Sequence, residues 1–396
     1  MKRAAAFFMA FLCLFSSALA SEATVEEELN RYFAMYDTLG AVVAVIQNGE
    51  VTFTHTYGKT KLGGENVTAD TLFQSGSISK MVANIGLMQL ITEKNLPLDT
   101  PLGELFGFEI AHPGYPQVPV TLRQLMTHTA ALRDGGFYQE ALGHNGEPLS
   151  DVFSKKGEYA FTGSVKPGTK RQYSNFGGGL IGALIEKLSG QTVDGYMREN
   201  VFEPLGITAA YQASLIPQDR QLADIYHMPE KTLGKRLRDD DSCITEPDAQ
   251  THYFLTAGKL IISAPDLCKL LIALCDGGVY ENTRILSESA VKEMTTRQNN
   301  IGSVACDSGH GLFMNIITDD QVEGRTMYGH GGKVYGMLCA AYFDPADRTG
   351  VVLLTNGCED DSMHNGVGML GRVIMRICYN RIVNPTHETE NPFAVE

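Results

Sequence analysis

Gly76-Ser77-Ile78-Ser79-Lys80 is the stretch on which the reading turns. It heads a run, Met81 to Thr92, whose composition predicts a helix, closed by Leu96-Pro97-Leu98-Asp99. A serine at a helix start meets backbone N–H groups and the positive end of the helix dipole, which favour developing negative charge. Positions i and i+3 share a helix face, so Lys80 can reach the Ser77 hydroxyl. A lysine at its ordinary pKa of about 10.4 is a poor base, and bringing it to roughly 7–8 takes burial or a neighbouring cation. The pattern is cheap alone. Ser289-Ala290-Val291-Lys292 repeats it and reads as a solvated helix face.

Two further signals lie downstream. Tyr173-Ser174-Asn175 precedes a Gly-rich helix start, Gly177-Gly178-Gly179, on a helix predicted to run to Leu188 and stop at Ser189-Gly190. A phenol beside a lysine can pass a proton to a leaving group, and an amide can hold a substrate backbone. Tyr280-Glu281-Asn282 shows that this pattern, too, recurs by chance. His330-Gly331-Gly332-Lys333 stands just before a strand predicted over Met337 to Phe343. Glycines on an edge strand admit a substrate backbone. A histidine there can donate to an anionic intermediate or a substrate carboxylate.

Working outward, Val25 to Tyr36 reads as a helix with an acidic first turn. Ala41 to Ile46 and Val51 to Tyr57 are β-rich and joined through Asn48-Gly49, a strong hairpin signal. Val120 to Thr127 and Pro265 to Leu274 read as helices, 131–170 as irregular, and 213–250 as a charged surface excursion including Lys231 to Asp241. Gly311 to Ile317, Met337 to Phe343 and Gly350 to Thr355 read as strands, and Val367 to Tyr379 as a closing amphipathic helix. The expectation is an α+β fold. The early hairpin and late strands (about 21–75 and 300–385) share one antiparallel sheet, with a mostly helical region, about 76–299, inserted between them.

In this order the three motifs resemble the serine β-lactamase and DD-peptidase superfamily, closest to its class C β-lactamase-related branch. Val120-Thr121-Leu122-Arg123-Gln124-Leu125-Met126-Thr127-His128-Thr129 is similar to that family's T-x-x-x-L-L-x-H-T-S-G segment, with Ala130-Ala131 in place of Ser-Gly. Pro167-Gly168 and Ser263-Ala264-Pro265-Asp266-Leu267 also match family positions, so the likeness covers roughly residues 25–380. The resemblance implies that Ser77 forms an acyl-enzyme, Lys80 is general base, Tyr173 relays the proton and Asn175 orients substrate. It also implies an oxyanion hole from the backbone N–H groups of Ser77 and Lys333, worth about 2.7–4 kcal/mol per donor. His330, Gly331, Gly332 and Lys333 would line the substrate site, and His128 would be structural. His330 falls where many β-lactamases carry the lysine of Lys-Thr-Gly, and members with histidine there are often D-amino-acid peptidases or esterases. The implied substrate is an amide or ester, a D-amino-acid-containing peptide of the DD-carboxypeptidase kind, with peptidoglycan as one source. The alternatives are a β-lactamase or esterase of the same family, or a non-catalytic penicillin- or peptidoglycan-binding module. A binding module has no use for a proton relay, so the presence of Ser77, Lys80 and Tyr173 together counts against it.

Composition agrees with an exported small-molecule or short-peptide hydrolase. Lys2 and Arg3, the apolar run Ala4 to Leu14 and Ala18-Leu19-Ala20 read as a cleaved secretory signal over 1–20, leaving one hydrolase domain over 21–396 in the periplasm or outside the cell. Leu12 before Cys13 argues against a lipoprotein anchor, and no later segment is long and apolar enough for a stable membrane span. Cleavage takes 2 of the 32 basic residues and none of the 46 acidic ones, moving the net charge from −14 to −16. Such a surface repels nucleic acid and anionic lipid. Seven cysteines remain without regular spacing. Cys268 and Cys275 would lie roughly 10 Å apart along one helix, too far to bridge, and free buried thiols are expected. The histidines form no His-Glu-x-x-His or His-x-His pattern, and Gly-x-Ser-x-Gly and Walker motifs are absent, so neither metal nor organic cofactor is implied.

Overall fold

The structure, a computed structural model, describes residues 23–142, 146–240, 243–298, 309–318, 322–360, 362–363 and 366–385. The signal segment expected over 1–20 lies outside the described residues. Helix α1 (Val25–Met35) opens on a capping box, in which Thr24 and Glu27 each accept the other's backbone N–H. Strands β1 (Gly40–Gln47) and β2 (Glu50–Gly58) follow as a hairpin. Its turn residues Asn48 and Gly49 have φ of 54° and 79°, the left-handed pair that a two-residue turn demands. The long helices α2 (Ile78–Glu93), α3 (Asn175–Ser189) and α4 (Ala264–Cys275) make up the frame of the middle region. The chain then lays down β3 (Gly309–His310), β4 (Asn315–Thr318), β5 (Thr326–Val334), β6 (Met337–Asp344) and β7 (Thr349–Thr355), and ends in α5 (Met369–Cys378).

These strands form one antiparallel sheet in the order β3-β4-β5-β6-β7-β1-β2. The late strands join the early hairpin where β7 meets β1, from Ala41 opposite Thr355 to Ile46 opposite Gly350. Strand β1 is buried on both faces and so is apolar without alternation. Its Val42, Ala44 and Ile46 pack into the core shared with α2 and α4, while Ala41, Val43 and Val45 pack toward Leu29 and Phe33 of α1 and Ile374 of α5. The architecture is α+β, as expected.

Helix α2 is apolar almost all round and buried from Ile78 through Met88. Its Lys80 and Asn84 are therefore enclosed polar groups that must find partners.

Three expectations change. The strand predicted over Gly311–Ile317 is broken between β3 and β4 by a turn in which the Gly311 N–H donates to Met314 and Phe313 takes φ 48°. The irregular 131–170 stretch contains short helices at Gly136–Leu142, Leu149–Lys155 and Gly157–Ala160. The 213–250 stretch is no mere surface excursion. It pairs Ile225–His227 with Thr232–Lys235, and Ile225 and Leu237 anchor it in the core. Six described cysteines are free thiols, with Cys268, Cys339, Cys358 and Cys378 buried. No helix among the described residues is long and apolar enough to cross a membrane.

Candidate active site

Ser77 is the N-cap of α2, yet its hydroxyl caps nothing. Instead Oγ accepts from Lys80 Nζ at 3.0 Å and from the Tyr173 hydroxyl at 2.6 Å. Ser79 Oγ donates to Gly76 O and accepts the Leu260 N–H, tying the turn to the 257–262 segment. Gly76 sits at φ 56°, and a Cβ there would stand 3.0 Å from Lys333 N. That contact places the end of β5 directly over the nucleophile's turn.

Lys80 has no exposed surface. Its Nζ donates to Ser77 Oγ, to Asn175 Oδ1 at 2.9 Å and to Ala257 O at 2.5 Å, three bonds for the three hydrogens of an ammonium. The room for this chain is cut into α3: a Cβ at Gly178 would overlap the Lys80 Cε. The Gly-rich helix start thus serves the lysine that it packs against.

Asn175 opens α3, with its Oδ1 on Lys80 and its Nδ2 on Asp134 at 2.9 Å, which leaves one amide hydrogen for a substrate. The Asp134 carboxylate also accepts from Ser174 Oγ and the Phe176 N–H, both at 2.9 Å. It fixes the entire Ser174–Phe176 turn. Sequence reasoning missed Asp134, because nothing local distinguishes a carboxylate whose partners lie forty residues on.

The Tyr173 ring is 41% exposed. It faces Lys80 Nζ at 5.0 Å and Arg171 at 5.9 Å, and packs on His128 at 4.5 Å between ring centroids. His128 is buried, accepts the Ser174 N–H on Nδ1 and stays neutral, since burial and then Arg171 and Lys80 hold its pKa well below the ordinary histidine value. It supports the tyrosine rather than lining the cleft.

His330-Gly331-Gly332-Lys333 precedes the strand expected from Met337, β6, and is itself strand. It is the second half of β5, with neighbours on both sides in the sheet order. The β4 pairing, however, ends at Gly329 opposite Asn315, and from His330 to Val334 the register runs with β6 alone. An edge exists there, but as half of an interior strand. At Gly331 and Gly332 a Cβ would overlap the backbone oxygens of Gly366 and Ser75.

The role expected for His330 needs correction. Its Nδ1 bonds to Gly331 O at 2.6 Å, and since a carbonyl can only accept, the proton is on Nδ1 and Nε2 is an acceptor. Burial, then the nearby Lys80, depress its pKa to about 3. A neutral imidazole with its one N–H already engaged is not placed to donate to a substrate carboxylate.

Over these groups lies a cleft of about 190 Å³ whose wall includes Ser77, Asn175, Lys235, Lys259 and Lys333. A larger groove of about 990 Å³ between the Lys61 and Arg236 segments contains none of the groups above, so the smaller cleft is the reacting one.

Known proteins resemble this chain over most of its length. The β-lactamase family pattern matches residues 23–368. Penicillin-binding protein 4 of Amycolatopsis lactamdurans is 28% identical over 331 residues, covering 80% of this chain and 81% of that protein. Esterase EstB of Burkholderia gladioli is 26% identical over 351 residues, covering 80% and 86%. The octameric penicillin-binding protein homologue from Pyrococcus abyssi superposes with a TM-score of 0.70 at 22% identity, over 93% of this chain and 78% of that one. Fold and relatives define a serine hydrolase of the β-lactamase and transpeptidase fold. The chain belongs to the β-lactamase family.

Proposed function

We propose that the protein cleaves an amide or ester through an acyl-enzyme on Ser77. The convergence of one enclosed amino group and one phenol within 3.0 Å of Ser77 Oγ carries this reading. With the Lys80–Tyr173 pair one proton short of its ammonium–phenol form, Oγ attacks the substrate carbonyl and its proton passes to that pair. The backbone N–H groups of Ser77 and Lys333 receive the oxyanion, and Tyr173 then protonates the leaving group. Water releases the acyl group by the same steps in reverse. The remaining amide hydrogen of Asn175 aligns the substrate.

Within this chemistry the substrate is a D-amino-acid-containing peptide or an ester. A neutral His330 leaves no cation at that position for a substrate carboxylate, which supports an ester or a D-peptide without a free carboxylate there over a penicillin. The esterase among the relatives supports the ester arm. The basic, apolar first twenty residues support export to the periplasm or beyond.

Incubation with a 4-nitrophenyl ester, a D-terminal peptide with its L-isomer, and a fluorescent penicillin, followed by intact mass, tests the proposal. Turnover through a transient Ser77 adduct is expected, with Ser77→Ala losing at least about 10⁴-fold in kcat while keeping its circular dichroism. A stable adduct without turnover would mark a binding module instead. Wild-type turnover in Ser77→Ala would remove the nucleophile.

A further inference from the structure

We propose that the acyl half of the substrate carries a carboxylate, held by Lys259 and Lys235 in the cleft that Lys333 also lines. This rests on the acyl-enzyme reading above and narrows its substrate class.

The described wall of the cleft carries three lysines and no aspartate or glutamate. The chain as a whole has 46 acidic residues against 32 basic ones and a net charge of −14, so the cleft inverts the sign of its surroundings. A low-dielectric recess lined by one sign of charge concentrates ligands of the other.

Lys259 is held close to the reacting atoms. The residue two before it, Ala257, accepts from Lys80 Nζ, and Gly258 O accepts from Gln74 Nε2 at 2.8 Å. On its other side Leu260 accepts the Ser75 N–H at 2.8 Å and donates to Ser79 Oγ at 2.9 Å. The segment is therefore pinned to the nucleophile's turn both before and after the lysine. Lys235 comes from the end of the Thr232–Lys235 strand, and Asp240 gathers the pair, at 2.6 Å from Lys235 and 3.4 Å from Lys259. Both side chains are mostly enclosed, 20% and 13% exposed, and Lys259 Nζ lies 5.0 Å over the Phe254 ring. Enclosing two ammonium groups around a single carboxylate is a costly way to stabilise a fold, since apolar replacements of such clusters are often neutral or better. Presenting positive charge to a ligand accounts for the arrangement.

Position relative to Ser77 decides which half of the substrate is anionic. Tyr173, the proton donor to the leaving group, and His330 contribute nothing to the cleft wall, whereas Ser77, Asn175 and the Lys333–Tyr335 end of β5 do. The cleft therefore receives the acyl half. The class that fits is an ester or amide whose acyl group ends in a carboxylate, either a dicarboxylic half-acid or a peptide acyl group with an acidic side chain.

The test compares 4-nitrophenyl hydrogen adipate with its methyl ester, methyl 4-nitrophenyl adipate, which differ only in the distal charge. Ser77 displaces 4-nitrophenolate from either and water releases the acid. The readout is the ratio of the two kcat/KM values. Wild type should favour the half-acid by about tenfold or more at low salt. That ratio should shrink in 0.5 M NaCl and collapse toward one in Lys259→Met and Lys235→Met, whatever factor moves both rates together. The salt series on wild type keeps the test decisive if a variant does not fold. Turnover of both esters with no preference for the half-acid, or a preference that survives salt and both substitutions, overturns the lysine assignment alone. Turnover of neither ester removes the Ser77 reading and this one with it.

Discussion

Asp134→Asn is the sharpest test of how the site is held. The aspartate accepts three hydrogen bonds, from Ser174 Oγ, the Phe176 N–H and Asn175 Nδ2, each at 2.9 Å. An asparagine of the same shape can keep the first two on its oxygen, but it then turns an NH₂ toward the NH₂ of Asn175. Asn175 must either bear that conflict or flip, and a flip sets its NH₂ against Lys80 Nζ in place of the 2.9 Å bond to Oδ1. Losing one charge-assisted bond within this chain costs about 1.5–3 kcal/mol. If the loss falls on the aligned state, kcat drops by roughly 10- to 150-fold at 1.36 kcal/mol per decade. Asp134 is exposed at the rim, so solvent satisfies much of what the fold loses, and Tm should fall by only a few degrees. Steady-state ester hydrolysis with kcat and KM resolved, beside thermal melts, reads both effects. Adding Asn175→Asp restores donor–acceptor polarity along the chain, because its carboxylate accepts both from the amide introduced by Asp134→Asn and from Lys80, and part of the lost kcat should return. A kcat for Asp134→Asn within threefold of wild type would refute the reasoning.

Two further outcomes are expected. Gly178→Ala pushes a methyl into the Lys80 side chain, and kcat should fall about 100-fold, as for a nucleophile's partner displaced by an ångström. Tm should not rise, because the gain of about 1 kcal/mol for alanine over glycine in a helix is offset by about 1–3 kcal/mol of overpacking against the enclosed lysine; unchanged kcat would show that Lys80 is not fixed by that contact. His330 is held neutral, at about 3 against an ordinary 6.5, so its contribution to stability is complete above pH 6.5 and is lost as pH falls toward 3, when the unfolded chain binds the proton first. Urea melts between pH 6 and 4.5 should therefore show wild type losing stability more steeply than His330→Gln, by up to about 1.4 kcal/mol per pH unit. Parallel pH profiles would mean the imidazole is not protected from protons.

What is legible in the sequence, and what is not, follows the range of the interactions. The Asn48-Gly49 hairpin and the start of α2 depend on turn chemistry within a few residues, and both stand as expected. Ser77, Lys80, Tyr173 and Asn175 belong to local motifs, and the fold brings them into one hydrogen-bonded chain. The His330–Lys333 stretch reads as lying before a strand because glycines weaken a strand signal, yet they are needed where the strand passes over Ser75 and Gly366. Lys235 lies in a stretch that reads as solvated surface, since charge density looks the same whether it faces water or a cleft. Asp134 and Lys259 act through partners distant in the chain, Asn175 and Asp240, and composition carries no trace of such contacts.

The seam between β7 and β1 has a consequence for how the molecule comes into being. The first strand of the sheet waits for a partner made some 300 residues later, between Gly350 and Thr355. Ribosomal synthesis at about 5–20 residues per second leaves that apolar strand without its mate for at least about 15 seconds, a window in which hydrophobic strands stick to one another. Pairing β7 with β1 brings together residues some 300 apart in the chain, which slows folding. Truncation ahead of residue 349 should therefore abolish the whole sheet, not merely trim its end, and yield insoluble chain rather than a shortened enzyme.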